Sequence, residues 1–260
     1  MKRFPQICLA FAIVIGHACA LAAPSPAKVF SDLAIIKAQC QQLAKLYVEK
    51  AVRGVTPRID RRLARSLTGI SAATTDSASW DALLSEAGHA RPVQSSVKAL
   101  IERASSTAAP DSKGMADIVA SADRCSFEAE AAMKVLSGPA ASGRAVTLVA
   151  RALYLSQRVS RDAILLSTGV KVAGITADLM ERERDELQAT FQQLQQLPAT
   201  PAIRSALEGS IAQWTLLQPK LNRSVLNKDS EDSIVRSSDV LVDALEELLE
   251  MVQKALLMMN

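Results

Sequence analysis

Histidine is nearly absent from this sequence. Two occur in 260 residues, His17 and His89, and that scarcity removes whole classes of chemistry. No histidine lies near Ser156 in the sequence, so a Ser-His-acid arrangement is not expected. No E-x-x-H pair exists to build a carboxylate-bridged metal centre inside a helical bundle. No C-x-x-C-H stretch offers covalent haem attachment. Aromatic residues are only 3% and glycines only 10. No stretch sustains a period of two, which argues against sheets. What is abundant is Ala, Leu, Gln, Glu, Arg and Ser, and the chain reads as all-α. His89, in "AGHARP", reads as a solvated loop residue, and the alternating charges of "MERERDE" (Met180 to Glu186) as an exposed, salt-bridged face. No catalytic residue, metal ligand or cofactor is expected.

Long uncharged apolar runs are also missing. The first residues, MKRFPQICLAFAIVIGHACALAAP, have the three parts of a secretory signal over residues 1–22. Lys2 and Arg3 form the basic start and Ile7 to Ile15 the apolar stretch; Ala18-Cys19-Ala20 and Ala20-Leu21-Ala22 are small-residue cleavage sites, with cleavage expected after Ala22 and Ala20 as the alternative. Gly16 stands three before Cys19, where lipidation would want a branched apolar residue. No later segment offers the ~20 apolar residues of a membrane helix. An exported, periplasmic mature chain is expected. Losing Lys2 and Arg3 leaves 28 basic residues against 27 acidic ones. That balance has no basic footprint, so nucleic acid is not an expected partner. Cys8 and Cys19 depart with the signal, leaving Cys40 and Cys125 in an oxidising compartment where an even pair tends to close.

Helical periodicity accounts for the rest. In PAIRSALEGSIAQWTLLQPKLNRSV, Ile203, Leu207, Ile211, Trp214, Leu217, Leu221 and Val225 recur at steps of three and four. Thr200 before Pro201 is a start signal, and Trp214 reads as core. Further helices are expected over about Ser142–Gly169, Ile175–Leu197 and Asp229–Leu257. Four helices with short joints suggest an antiparallel bundle. A shift of 116 residues then superposes the first half on the second. Gln41 meets Gln157, Ile59 meets Ile175, Leu63 meets Leu179, "IVASAD" (Ile118 to Asp123) meets "IVRSSD" (Ile234 to Asp239), and Glu130 meets Glu246. The expectation is two tandem up-down four-helix bundles, residues 27–138 and 142–260, joined near Ser137-Gly138-Pro139. In the first, Thr68 to Ser79 is expected as loop and "RPVQSSVKALIERA" as the third helix.

This register places Cys40 near the middle of the first helix and Cys125 near the middle of the fourth. Those helices are antiparallel neighbours in an up-down bundle, so a Cys40–Cys125 disulfide is expected, with two buried thiols as the alternative. The corresponding residues of the second copy are Ser156 and Leu241.

One polar step interrupts an apolar helix: Ser156, Gln157 and Arg158 within "RALYLSQRVSRDAILLSTGV". Arg144, Arg151 and Arg158 are seven apart and share a face, with Arg161 nearby. Such a row admits two readings, an anion site built from guanidinium forks or a solvated basic stripe. Together with the polar helix that follows and "LPATPAIRSALEGSIAQW", this stretch resembles the PilJ-type, or NarX-like, sensor domain. That domain is the N-terminal periplasmic region of type IV pilus chemotaxis transducers and nitrate/nitrite sensor kinases. The family box reads approximately N-x-A-G-R-Q-R-M-L-S-Q-R. Its asparagine falls on Thr147, its glycine on Ala150, and its three arginines on Arg151, Leu153 and Arg158. In the first copy the same positions are Ser31, Ala34, Ile35, Lys37 and Gln42.

The resemblance implies a four-helix bundle, and it implies a ligand site. In nitrate-sensing relatives the second box arginine, from both protomers of a dimer, holds the anion. Here that position is Leu153 in one copy and Lys37 in the other. An internal pseudo-dimer, with the two first helices facing, would let Lys37 supply one charge where relatives supply two. The anion-site residues expected on this basis are Lys37, Arg144, Arg151, Ser156, Gln157 and Arg158. Relatives carry the domain between membrane helices, coupled to kinase or methyl-accepting modules. With nothing after Asn260, the expectation is a stand-alone module that binds a small anion such as nitrate or nitrite. It would present that ligand to a membrane-bound signalling protein or another periplasmic partner. A structural or protein-interaction module that has lost its ligand is the competing reading, and a homodimer is left open.

Overall fold

The computed structural model describes residues 25–75, 77–105, 111–136 and 141–258. Among these residues the chain is all-helical, with nine α-helices and no strand. The expected signal, residues 1–22, and the expected joint at Ser137-Gly138-Pro139 lie outside the described residues. No described helix is long and apolar enough to cross a membrane.

The first helix, α1, spans Pro26–Arg53, and α2 spans Pro57–Ala73. A short α3 covers Ser77–Leu84, α4 Ala90–Ala104 and α5 Ser112–Leu136. Then come α6 at Ala141–Thr168, α7 at Ala177–Gln195, α8 at Pro201–Leu217 and α9 at Glu231–Met258. The same start signal opens α1, α2 and α8, a Ser or Thr cap followed by proline in the first turn. In α8 the Thr200 hydroxyl accepts the Ile203 amide at 3.3 Å, satisfying a donor that has no partner within the helix. Gly54 ends α1 at φ +79°, a backbone conformation that suits glycine.

Two local expectations are corrected. Within Thr68–Ser79, expected as loop, residues 68–73 and 77–79 are helical, and Thr74 and Thr75 form a turn and bend: α2 runs on to Ala73 because Ile59, Ser66, Ile70 and Ala73 continue one buried stripe. Ser77 then starts α3, whose Trp80 and Leu84 sit one turn apart and are both fully buried. The helix expected to reach Val225 stops at Leu217. Pro219 has no amide to donate and its ring clashes with the preceding turn. The chain continues in 3₁₀ turns at Gln218–Leu221 and Arg223–Val225. Leu221 still packs inward, whereas Val225 is 44% exposed.

Two of the three 28-residue helices, α1 and α6, pack on one another. Each is about 42 Å long. Alongside α1 lie α2 and α5, with α4 against α5; alongside α6 lie α7 and α9, with α8 against α9. Flanked on several sides, α1 is buried around most of its circumference between Val29 and Glu49. Cys40 and Cys125 form a disulfide between α1 and α5, with Cα atoms 6.2 Å apart. At the positions 116 residues on, Ser156 and Leu241 are fully buried. Trp214 is core, as read from the sequence: it stacks on Phe191 at 6.3 Å and donates its Nε1–H to Gln188 Oε1 at 2.7 Å.

Candidate functional site

Burial on several sides forces polar groups of α1 and α6 into the interior, where each needs a partner. Arg161, fully buried, donates from Nε to Asp162 Oδ1 at 2.8 Å and from Nη1 to Gln41 Oε1 at 2.7 Å. Gln41 in turn donates from Nε2 to Asp123 Oδ1 at 2.9 Å and to Ser126 Oγ at 3.3 Å. The Ser126 hydroxyl donates to the Lys37 carbonyl at 3.1 Å. Residues of α1, α5 and α6 are thereby tied into one chain of hydrogen bonds beside the disulfide.

This network borders a cleft of about 270 Å³ lined by α1, α5, α6 and α7. Tyr154 stands among its cations. Lys37 Nζ lies 5.1 Å from the ring centroid and the Arg158 guanidinium 5.7 Å, both within cation–π reach. The Tyr154 hydroxyl accepts a hydrogen bond from Arg158 Nη1. Three ion pairs line the walls. Lys37 meets Glu130 at 2.9 Å, Arg151 meets Glu186 at 2.7 Å, and Arg158 Nε lies 2.8 Å from Glu183 Oε1. Arg158 also stands 3.8 Å from Asp123. An adjoining groove of about 700 Å³ shares Glu130, Tyr154 and Arg158 and extends to Phe127, which is 70% exposed.

Burial dominates the titration of this cleft. It pushes Glu183 up to about 7; Arg158 opposes the shift, Asp162 adds to it, and Arg161 and Asp123 oppose and add in turn. Burial lowers Lys37, against the hydrogen bond and charge of Glu130. For Glu130, burial is outweighed by the hydrogen bond and charge of Lys37, helped by Lys134, and the carboxyl stays below its ordinary range. Burial also pushes the Tyr154 hydroxyl up, with Arg158 opposing.

The expected site residues do not all meet. Lys37, Arg151 and Arg158 line the cleft together. Arg144 is exposed two turns away from Arg151 along α6 and is not among the lining residues. Ser156 is fully buried and donates to the Leu153 carbonyl of its own helix at 2.9 Å. Gln157 is buried, and its Oε1 accepts no hydrogen bond. The Leu153 side chain is core. Sequence reasoning missed the carboxylates Glu130, Glu183 and Glu186 as wall residues. Reading "MERERDE" as an exposed face holds for Asp185, 72% exposed at its side chain, but not for Glu183 at 9%.

A second polar cluster went unread altogether. Lys45, fully buried, pairs with Glu49 at 3.2 Å and with Asp239 of α9 at 2.9 Å. Arg58 of α2 bridges Glu49 and Asp239. Arg62 reaches Asp243 at 2.7 Å and the Asp239 carbonyl at 3.2 Å. Asp239 feels burial, but Lys45 and then Arg62 outweigh it and hold its carboxyl low. The 116-residue shift carries Lys45 to Arg161 and Asp123 to Asp239. Lys45 pairs with Asp239, and Arg161 stands 3.6 Å from Asp123, so the two contacts exchange partners between the halves. Lys37, Gln41, Lys45 and Glu49 do recur every four residues along one line of α1, but Lys28, Asp32, Gln39, Gln42 and Lys50 surround them in the sequence, so the spacing does not single them out as buried.

Among the described residues no group of three or more His, Cys, Asp or Glu is placed to hold a metal ion. Compared with protein-family models, with curated proteins and with solved structures, the chain matches none.

Proposed function

We propose that this chain is an exported, sensor-like helical module that binds a small ligand in the cleft around Tyr154 and presents it to a membrane or periplasmic partner. The observation that carries this reading is convergence. Lys37 of α1 and Arg151 and Arg158 of α6, marked by the PilJ-type box in two distant stretches, line one cleft. The reading includes two tandem helical units, residues 27–138 and 142–260, related by the 116-residue shift, the first with the short α3 added to its four longer helices. Packing of α1 on α6 and the exchanged Lys45–Asp239 and Arg161–Asp123 contacts support it. In such an internal pseudo-dimer the facing of first helices that relatives achieve between protomers occurs within one chain, which favours a monomer.

A second reading has its own observation. Every cation lining the cleft already has a carboxylate partner. A structural or protein-interaction module without a ligand fits that saturation. A thermal-shift screen separates the two, using nitrate, nitrite and small organic ions against matched chloride. A ligand at 100 times its dissociation constant adds about 2.7 kcal/mol of stability, a shift of several degrees for a chain of this size. A specific shift that disappears in Arg158→Lys supports the ligand-binding reading. No shift with any probe sinks it, and favours the interaction module.

A further inference from the structure

Three cations and three carboxyl groups line the cleft, so with all of them ionised its charge sums to zero. A simple anion entering it would have to displace a carboxylate from a guanidinium and leave that carboxylate partly buried without a partner, which is costly. A simple cation meets the mirror-image difficulty. A ligand carrying both charges meets neither, because it can insert into an ion pair and satisfy both members.

One pair has unmet capacity for this. Glu183 is 7% exposed, and its Oε2 has no hydrogen-bond partner. Its Oε1 approaches Arg158 Nε at 2.8 Å, yet that Nε makes no aligned hydrogen bond. An acceptor and a donor, both buried, both lack full partners at the wall of one cavity. Of the described residues with a buried side-chain atom lacking a hydrogen-bond partner, Arg158 and Glu183 are the two that line this cavity together, which is where an occupant would supply the missing partners. The cavity also limits the occupant. Its volume of about 270 Å³ falls just under the ~300 Å³ where drug-sized sites begin. It is roughly nine times a water's ~30 Å³ share of the liquid, which leaves a three-oxygen inorganic anion loosely held. The Tyr154 ring forms part of the wall, and the shared groove leads to the exposed Phe127 ring.

Resting on the ligand-binding reading above, we propose that the ligand is a zwitterion of the α-amino-acid class. Its ammonium donates to Glu183, its carboxylate accepts from Arg158, and an apolar side chain lies along Tyr154 toward Phe127. Glu186 and Glu130 keep their pairs with Arg151 and Lys37 and close the walls. Size and the aromatic surfaces favour leucine- to phenylalanine-sized side chains over glycine.

Isothermal titration of the purified protein tests this with L-leucine and L-phenylalanine. Controls are the matched amines without the carboxylate, the matched acids without the amine, and sodium nitrate. Binding by an amino acid is expected, with both truncated analogues at least about tenfold weaker. Glu183→Gln is expected to weaken amino-acid binding about 10- to 100-fold, the cost of losing a charge-assisted hydrogen bond. Circular dichroism and the melting curve show whether that variant is folded. Arg158→Lys, which keeps the charge, gives a second reading if it is not. Flat titrations with both amino acids overturn the zwitterion assignment. If nitrate or a free acid then binds in an Arg158-dependent way, the ligand-binding reading survives its loss. If every probe is flat, both fail.

Discussion

Breaking the Cys40–Cys125 bond is the perturbation whose size follows most directly from the structure. The disulfide joins α1 to α5 across a sequence separation of 85 residues. In the chain-entropy relation, freeing a loop of that length costs about 4.6 kcal/mol at 25 °C. Measured losses for native disulfides run from about 2 to 5 kcal/mol. The loop holds all of α2, α3 and α4, so the denatured chain gains most of the first half's freedom at once. Both cysteines are fully buried, and reductant alone under native conditions is expected to act slowly. The test is equilibrium denaturation in guanidinium of the wild type and of Cys40→Ala/Cys125→Ala. A loss of about 2–5 kcal/mol is expected, with a melting point lower by roughly 10 °C. Because Gln41 and Ser126 flank the bonded cysteines and hydrogen-bond to each other, the variant should also bind any cleft ligand more weakly. A loss under about 1 kcal/mol, or two free thiols in the purified protein's intact mass, would refute the reasoning.

Glu183 supplies a pH signature. Its carboxyl is raised from 4.5 to about 7, so the folded state holds the proton more tightly than the unfolded chain. Its stabilising contribution is therefore fully present below pH 4.5 and lost as pH rises through 7, a span of about 3.5 kcal/mol at ~1.4 kcal/mol per unit. Glu183→Gln should flatten the stability profile across that window; an unchanged slope would contradict the assignment. Arg161 and Arg144 make a contrasting pair. Arg161→Met leaves the fully buried Asp162 without its partner and should cost about 3–5 kcal/mol by chemical denaturation. Arg144→Ala, on an exposed residue, should stay within about 0.5 kcal/mol. Equal effects from the two would show that α6 is not packed as described.

The sequence by itself determined that the chain is helical, and it placed several of the helices and their starts. Apolar residues at steps of three and four fixed the inward stripe of α8, and Thr200-Pro201 fixed its start. The register of the two halves made a Cys40–Cys125 disulfide the expectation, with two buried thiols as the alternative, and the structure bonds them. These are local or pairwise consequences of helix geometry, which one strand of sequence carries in full. The break at Leu217 and the helix around Trp80 were also local, but they required weighing Pro219 against the stripe and seeing that Trp80 and Leu84 form a one-turn pair. Only the tertiary structure decided which charges are inside. Lys45, Glu49, Arg161 and Asp162 have the composition of a wet face, yet α1 and α6 are enclosed by neighbours on several sides, so no face of either helix is left wholly to solvent along the shared length. Whether a polar residue meets water or a partner depends on that enclosure, and enclosure is a property of how helices far apart in the chain come to lie together. The same holds for the cleft. Lys37, Glu130, Arg158 and Glu183 come from four helices, and nothing in the spacing along one of them announces the other three.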